Sequence, residues 1–277
     1  MGRETASERK VVAGAADLHV RRDVPSSRER FSSTIAAFIQ GEAQYLFLNG
    51  DTFDQKATYD DVTFVAGELQ KARLAGKRIF GLSGNHEERM TDPKHQKVIS
   101  MLSEAGVEFF DDQLVELEGV VFVGVPCILS KPQQDGIHAL PVREQAAAMQ
   151  RQLEETHGET FEKLMEEAKR REKPVIVWFH NPPIAQAYGD ELSNYDPVEL
   201  PGRFAKAMDP HVVAVALNGH LHGKPFKGVR LAETPEGILI INNAIGVMGG
   251  ITYVTLPESI GDIPAARTIT GRRIQSQ

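Results

Sequence analysis

Short apolar segments alternate with longer amphipathic ones through the first half of the chain. Residues 11–16 (VVAGAA), 45–49 (YLFLN) and 78–83 (RIFGLS) are brief, apolar and followed by turn residues, a pattern that predicts buried strands. The segments SSRERFSSTIAAFIQ and DDVTFVAGELQKARLAG, which lie between them, carry apolar residues at helical spacing. This order of strands and helices predicts an α/β fold whose strands are at least partly parallel.

The second half of the chain predicts further strands and one long helical region. The segments VEFF, LVEL and VVFVGV follow at close spacing, which predicts a second sheet or an antiparallel edge. Residues 142–173 are rich in Glu, Gln, Lys, Arg and Ala, which favours a solvated helix pair over a specialised binding arm. PVIVWFH and VVAVALNGH then predict two strands, and GVRLAE, GILIIN and GITYVTL predict an antiparallel run.

The same pattern predicts the domain organisation. We expect a flexible N-terminal tail over residues 1–10, a single domain over residues 11–260 with a helical insertion at about 142–173, and a loosely ordered tail over residues 261–277. No Pro/Ser/Gly-rich linker interrupts the middle of the chain, and 277 residues are enough to bury a large core.

Composition and charge narrow the classes of function. The formal net charge of -7 argues against a protein that coats nucleic acid, so nucleic acid remains only a weak alternative as a partner. The start, MGRETASERK, has no apolar core of a signal peptide, and no apolar run has the length of a membrane span, so we expect a cytoplasmic protein with no membrane partner. Cys127, the single cysteine, lies in an apolar run and predicts a buried structural thiol.

Side chains able to bind metals follow five of the predicted strands. They are Asp17 and His19, Asp51 and Asp54, Asn85 and His86, His180, and His220 and His222. Because catalytic groups of open α/β sheets gather outside the carboxyl ends of strands, we expect these side chains to lie together. Gly50, Gly84 and Gly219 each precede a candidate ligand, and we expect them to let the backbone turn sharply.

The chemistry of these candidates indicates a site for two metal ions. Carboxylates, imidazoles and an amide oxygen, without thiolate, suit Mn, Fe, Zn or Co better than a Cys-rich structural zinc site. The candidates outnumber the ligands of one tetrahedral ion, whereas two ions sharing a carboxylate would use them all. The alternatives are that Asn85 merely closes a turn and that Gly-His-Leu-His is a surface loop.

The ordered set D-x-H, G-D-x-x-D, G-N-H-E, H-x-P-P and G-H-x-H resembles the motifs of the calcineurin-like metallophosphoesterases over roughly Val11 to Leu256. The GNHE and HNPP forms are similar to those of the cyclic-nucleotide phosphodiesterase and small bacterial phosphoesterase branches. The resemblance implies a β-sandwich of two mixed sheets flanked by helices, a four-layer αββα arrangement.

The resemblance also implies a role for each candidate. Asp17, His19, Asp51 and His222 would hold the first metal, and Asp51, Asn85, His180 and His220 the second, so that Asp51 bridges the two ions. Mn, Fe or Zn would fill the sites, and a water or hydroxide between the ions would attack phosphorus in line. His86 would hold a phosphate oxygen or protonate the leaving alcohol, with Asp54 orienting its ring.

The remaining candidates have weaker signals. We interpret His95, His138, His157 and His211 as surface or structural residues. Arg21, Arg22, Arg89 and Lys224 follow ligand blocks closely, but we expect solvated charges rather than phosphate ligands. Residues 184–197 (IAQAYGDELSNYDP) predict a substrate rim.

The function implied is metal-dependent hydrolysis of a phosphate ester in a small phosphorylated substrate, with phosphodiesters slightly favoured. The alternatives are a phosphomonoesterase or protein phosphatase, a nuclease, and a non-catalytic metal-binding scaffold. The sequence does not indicate an oligomeric state.

Overall fold

Two six-stranded sheets pack face to face, and helices cover their outer surfaces. The computed structural model describes residues 10–88, 94–129, 131–183, 202–220, 230–234, 236–244, 250–263 and 269–273. In chain order the elements are β1 (Val11–Ala15), α1 (Pro25–Gln40), β2 (Tyr45–Asn49), α2 (Tyr59–Leu74), β3 (Arg78–Leu82), α3 (Asn85–Glu88), α4 (Lys94–Glu104), β4 (Val107–Phe109), β5 (Leu114–Leu117), β6 (Val120–Val125), α5 (Lys131–His138), α6 (Val142–Arg170), β7 (Val175–Phe179), α7 (Arg203–Ala207), β8 (Val213–Asn218), β9 (Arg230–Glu233), β10 (Leu239–Asn242), β11 (Gly250–Thr255), a 3₁₀ turn (Ile260–Asp262) and β12 (Ile269–Arg273).

Both sheets are mixed. The first has the order β12-β11-β1-β2-β3-β4, in which β1 to β4 are parallel and β11 and β12 are antiparallel to their neighbours. The second has the order β5-β6-β7-β8-β10-β9, in which β6, β7, β8 and β10 are parallel and the two edge strands antiparallel. The expected α/β fold, a four-layer sandwich of two mixed sheets between helices, is confirmed.

Three apolar clusters hold the four layers together. The outer face of the first sheet packs on α1, α2 and α4, and that of the second packs on α5, α6 and α7. Between the sheets lies an aromatic centre in which Phe47 of β2 stacks on Trp178 of β7, with ring centroids 4.8 Å apart and planes 8° from parallel. Phe80 and Phe122 also stack on Phe47, so the centre is built from both sheets.

The helical region after residue 141 is one helix rather than the expected pair. Helix α6 runs unbroken from Val142 to Arg170, and its face carrying Leu153, Phe161 and Met165 is buried in the core of the second sheet. Its many charges occupy the remaining faces, which explains why the composition alone indicated a solvated element. The helix is an integral part of the outer layer.

Two other expectations are wrong. Residues 269–273, expected to be part of a loosely ordered tail, form β12 and pair with β11 at the edge of the first sheet. In the last third β9 and β10 pair antiparallel as expected, but the run does not continue, because β10 lies parallel to β8 and β11 crosses to pair with β1 of the other sheet. Residues 1–9 of the tail expected over residues 1–10 lie outside the described residues.

Two further expectations concern side-chain burial and the membrane. Cys127 is fully buried, which confirms the prediction of an interior thiol. Over the ranges that the structure describes, none of the helices combines the length and the apolar character needed to cross a bilayer.

The aromatic centre leaves no room for a side chain at Gly14. A Cβ added there would overlap the Trp178 indole, with Cζ3 at 2.8 Å, and would lie 3.1 Å from Asn243 Nδ2. We therefore expect Gly14→Ala to lower the free energy of unfolding by about 1–3 kcal/mol, because overpacking displaces the stacked ring. Gly67→Ala is the control: Gly67 lies inside α2 with nothing within 4 Å of the added Cβ.

Urea denaturation of the two alanine variants tests this prediction. Gly67→Ala should stabilise the protein by about 1 kcal/mol through helix propensity. Equal effects of the two substitutions would contradict the assigned packing at Gly14.

His157 connects α6 to the loops that follow β4 and β6. It is buried, and its Nδ1 lies 2.7 Å from Asp112 Oδ2 while its Nε2 lies 3.0 Å from the Ile128 carbonyl oxygen. Burial lowers the pKa of His157, but the hydrogen bond and charge of Asp112 outweigh it and raise the pKa above its usual value. Both ring nitrogens therefore donate when the ring is protonated, and the predicted structural role is confirmed.

This arrangement makes part of the stability depend on pH. Because the folded-state pKa of His157 is raised, its contribution is complete below the unfolded pKa and is lost as the pH rises through the folded pKa. We expect His157→Gln to cost about 1–3 kcal/mol near pH 6 and less near about pH 9. A cost that stays constant in denaturation curves across this range would contradict the raised pKa.

Candidate metal centre

Five strands from both sheets end at the same edge of the sandwich. Asp17 follows β1, Asp51 follows β2, Asn85 follows β3, His180 follows β7 and His220 follows β8. Within each sheet these strands are parallel, so their carboxyl ends lie at one edge. Contacts of His180 with Asn85 and of His220 with Asp17 bring the edges of the two sheets together. The structure thus brings together side chains that the sequence separates by as many as 203 positions.

Two groups of potential metal ligands meet at this edge, and Asp51 belongs to both. The first group is His19, Asp51 and His86, and the second is Asp51, His180 and His220, with the ligand atoms of each group within 4.8 Å of one another. His222, assigned to the first metal by the resemblance, lies outside the described residues. The sharing of Asp51 between two groups is the feature expected of a two-metal site.

The second group also includes the amide oxygen of Asn85. This oxygen lies 3.0 Å from both His180 Nε2 and His220 Nδ1, and His180 Nε2 lies 3.5 Å from Asp51 Oδ1. Ligand atoms about 2.0–2.2 Å from one ion lie roughly 3–4 Å from each other. The spacing of these four side chains therefore fits a single ion.

The first group is more open. His19 Nε2 lies 3.8 Å from Asp17 Oδ1 and 3.9 Å from Asp51 Oδ2, which again fits shared coordination better than direct hydrogen bonds. Asp51 Oδ2 is buried and receives no hydrogen bond from the described residues. A buried carboxylate oxygen without a donor is costly, so this atom fits a bound cation.

The backbone takes an unusual conformation at the ligands themselves. Asp17, His19, Asp51 and His220 all have positive φ, between 45° and 71°. Asp and His are among the side chains that tolerate this region, which is uncommon outside glycine. The turns after β1, β2 and β8 are therefore sharp enough to aim each ligand into the site.

The glycines before the ligands act partly through their small size, which differs from the expectation. Gly50 does have a positive φ of 81°. At Gly84, however, an added Cβ would overlap Asp51 Oδ1 and would lie 2.9 Å from Glu87 Oε2. Gly84 is thus needed because the loops after β2 and β3 approach closely, and its backbone freedom is secondary.

His180 is oriented for coordination through Nε2. Its Nδ1 lies 3.0 Å from the carbonyl oxygen of Asn49, which can only accept, so Nδ1 carries a proton. Nε2 is then the nitrogen that offers a lone pair to a metal. A hydrogen bond of this kind to the second ring nitrogen is typical of metal-binding histidines.

His86 has the opposite arrangement. The backbone N–H of Gln55 donates to His86 Nδ1 at 3.2 Å, so in the neutral ring the proton lies on Nε2. That Nε2 is 3.8 Å from Asp51 Oδ2, close enough to the site to count among the potential ligands. The tautomer makes His86 a hydrogen-bond donor at the edge of the site.

Asp54 has two hydrogen-bonding partners of its own beside the His86 ring. Its Oδ1 accepts from the backbone N–H of Lys56 at 2.9 Å and lies 3.4 Å from Arg21 Nη1. Burial raises the pKa of Asp54, but the Lys56 N–H, Arg21 and His86 outweigh it and lower this pKa below its usual value. The Asp54 carboxylate and the His86 ring therefore interact through their charges. The backbone N–H of Gln55 contacts the same ring and restrains its orientation.

The four candidate cations for phosphate binding have different outcomes. Arg21 pairs with Asp23 and Asp54, and the exposed Arg22 lies 3.1 Å from Asp60. These two side chains are therefore engaged in surface ion pairs, as expected. Arg89, Lys224 and the predicted rim at 184–197 lie outside the described residues.

Charges in the centre are strongly coupled. Burial alone would raise the pKa of Asp51, but the neighbouring His180, His86 and His19 rings lower it well below its usual value. Burial lowers the pKa of His180, yet Asp51 outweighs it and raises that pKa to about 10. The buried carboxylates thus favour positive charge in the centre, whether it comes from protonated imidazoles or from bound cations.

Three important groups were missed or underrated from the sequence. The Asn49 carbonyl and the Gln55 N–H set the tautomers of two histidines, and backbone groups leave no signal in side-chain motifs. Glu87 was not among the predicted site residues, but it is buried and contacts the loop after β2. Its position inside GNHE was the available signal.

Comparison with solved structures supports the fold. A dimetal phosphatase from Danio rerio matches with a TM-score of 0.62 and 12% identity, covering 90% of this chain and 93% of that one. The protein TT1561 of Thermus thermophilus matches with a TM-score of 0.56 and 11% identity, covering 97% and 100%. A Thermus thermophilus sulfate thiohydrolase, SoxB, gives a TM-score of 0.51 at 10% identity, covering 96% and 56%.

Comparison with sequences gives one positive result. The family model described as calcineurin-like phosphoesterase matches residues 11–224, which include all the predicted metal ligands. The search of curated proteins found no significant match.

The opposite roles of two adjacent residues can be tested directly. We expect Asn85→Ala to weaken Mn²⁺ binding by at least about tenfold, because its Oδ1 lies between His180 and His220. His86→Ala should leave Mn²⁺ affinity near that of the wild type, since its tautomer directs a proton toward the site. Calorimetric titration with Mn²⁺ compares the two, and equal losses would instead make His86 a ligand.

Proposed function

We propose that this chain, which belongs to the calcineurin-like phosphoesterase family, hydrolyses a small phosphate ester at the carboxyl-end site formed by both sheets. The family comprises metal-dependent phosphoric ester hydrolases, and the fold agrees with that of solved metallophosphoesterases. The observation that carries the proposal is the sharing of Asp51 between two groups of ligand atoms.

The ligands divide between two cations. We assign Asp17, His19, Asp51 and His222 to the first, as the resemblance implies, and Asp51, Asn85, His180 and His220 to the second. His86 also lies within reach of the first group, but we assign it to the substrate. Mn, Fe or Zn suits this donor set. When bound, such ions lower the pKa of water and neutralise charge on phosphoryl oxygens.

The chain's own contribution to the chemistry begins with orientation. The Asn49 carbonyl holds the His180 ring with Nε2 toward Asn85, so that coordination needs no rotation of the side chain. His180 is fully buried, so the surrounding residues leave its ring little room for another orientation. Rigid placement of this kind removes reorganisation from the catalytic step.

His86 is proposed to supply a proton-bearing nitrogen. Its Nε2 carries the proton because Nδ1 accepts from Gln55, and the ring edge contacts His19 with centroids 4.6 Å apart. A donor in this position can bind a phosphoryl oxygen or protonate the leaving alcohol. The nearby Asp54 carboxylate favours the charged form of the ring through its field.

The preferred ester is a phosphodiester, with a phosphomonoester as the second candidate. The resemblance of the GNHE and HNPP blocks to those of phosphodiesterase branches favours the diester. The monoester is the alternative that the sequence leaves open, and one solved structure of similar fold is described as a dimetal phosphatase. The fold does not decide between them, because it also resembles that of a sulfate thiohydrolase.

A screen of phosphate esters with Mn²⁺-reconstituted protein tests the proposal. Bis-p-nitrophenyl phosphate, p-nitrophenyl phosphate, cyclic nucleotides and natural mono- and diesters should be compared by kcat/KM. We expect hydrolysis that disappears in Asp51→Asn, since that substitution alters the side chain common to both ligand groups. A purified protein that binds no Mn²⁺ and hydrolyses none of these esters would instead support the scaffold alternative.

The role of His86 has a separate test. We expect His86→Ala to lower kcat by about 10²–10⁴-fold for esters with poor leaving groups and much less for nitrophenyl esters. His211→Ala, which changes an exposed histidine outside the site, is the matched control and should leave both rates unchanged. Equal losses for good and poor leaving groups would rule out protonation of the leaving group by His86.

A further inference from the structure

The Glu87 carboxylate lies buried between the loop that carries Asp51 and the turn that carries Asn85. Its Oε2 accepts hydrogen bonds from the backbone N–H groups of Asp51 at 2.8 Å and Gly84 at 3.0 Å. Its Oε1 accepts from the backbone N–H of Phe53 at 3.0 Å. Three backbone donors from the loops after two different strands therefore end on one side chain, which is only 4% exposed.

A reciprocal bond completes the connection. Asp51 Oδ1 accepts from the backbone N–H of His86 at 2.8 Å, so each loop supplies a carboxylate to the backbone of the other. The two contacts act on opposite ends of the same residue, because Glu87 holds the Asp51 main chain and His86 N–H holds its side chain. Asp51 is thereby restrained in both position and direction.

We propose that Glu87 is a positioning residue for the metal pair, and that it acts by placing Asp51 between the two ligand groups. The inference rests on the proposed function, since it requires that Asp51 serve two ions. Glu87 is not itself a ligand in this assignment, because both of its oxygens already accept backbone hydrogen bonds.

The chemistry of the contact requires a carboxylate. Both carboxyl oxygens of Glu87 accept hydrogen bonds here, whereas the amide of glutamine would present its own N–H₂ to one of the backbone donors. A second buried carboxylate beside Asp51 also adds like-charge repulsion, which an apolar side chain would avoid. Packing alone therefore does not explain a glutamate here, whereas the three donors do.

Two substitutions separate the position of the carboxylate from its charge. Glu87→Gln keeps the length of the side chain but replaces one acceptor by a donor, and Glu87→Asp keeps the charge but shortens the reach. Asp61→Asn is the matched control. Asp61 is also a buried carboxylate that accepts a backbone N–H, but it bonds to Thr58 and Arg28 in the cap of α2 rather than to the site loops.

The experiment measures Mn²⁺ binding by equilibrium dialysis and metal analysis, and spin coupling between bound ions by electron paramagnetic resonance. The wild type should bind two Mn²⁺ with a coupled spectrum. Glu87→Gln and Glu87→Asp should each bind Mn²⁺ about 10–100-fold more weakly and lose the coupled signal. Asp61→Asn should lower the melting temperature yet keep wild-type affinity and coupling, which separates a loss of stability from a loss of metal positioning.

Each remaining outcome overturns one specific claim. If the wild type binds two coupled ions and both Glu87 variants do the same, the positioning role is wrong while the proposed function stands. If the wild type binds no coupled pair, the proposed function fails and the positioning role fails with it. If neither Glu87 variant folds while Asp61→Asn does, Glu87 is a folding residue and the positioning role is again overturned.

Discussion

The contact of Phe47 with Trp178 sets the spacing between the two halves of the metal centre. Asp51 comes from the loop after the strand of Phe47, and His180 follows directly after the strand of Trp178, so the ligands belong to different sheets. Interiors packed at crystal-like density resist small changes in separation. The distance between the carboxylate and the imidazole is therefore a property of the sandwich core, and the hydrogen bond from His180 to Asn49 only refines it.

The same centre concentrates buried charge that the fold alone does not neutralise. Asp17 and Asp51 are almost fully buried, and the imidazoles of His19 and His180 have raised pKa values because these carboxylates favour their protonated forms. A bound divalent cation would supply this positive charge in place of the protons, so metal binding would be accompanied by proton release. Ions that bind only the folded chain also shift its unfolding equilibrium toward the native state. Function and stability thus draw on the same electrostatic arrangement.

Much of the fold and the site could be predicted from the sequence because each candidate ligand follows the end of a predicted strand. Asp51, Asn85 and His180 were found by that rule, and parallel strands then bring such positions to one edge. The rule does not specify partners that are distant in sequence. It therefore missed the hydrogen bond from the Gln55 N–H to the His86 ring. The only orienting group expected for that ring was the carboxylate of Asp54.

Element boundaries and neighbours were predicted less well for a related reason. Helix α6 carries so many charges that its buried face was obscured in the composition, although Phe161 and Met165 are buried. Strands β11 and β12 are short. The alternation of apolar and polar residues along a strand indicates which of its faces is buried, but it does not indicate which sheet the strand joins. The crossing of β11 to β1 depends on long-range packing, for which a local pattern carries no information.

The left-handed backbone at four of the proposed ligand positions has a consequence for how this protein would respond to selection. Residues with side chains in this region cost about 1–2 kcal/mol each relative to glycine, though Asp and His tolerate it better than most. Glycine at Asp17 or His220 would relax the backbone and remove a proposed ligand in the same step. Selection for thermal stability alone, without a test of activity, would therefore favour substitutions at these positions. The resulting variants would be more stable but inactive.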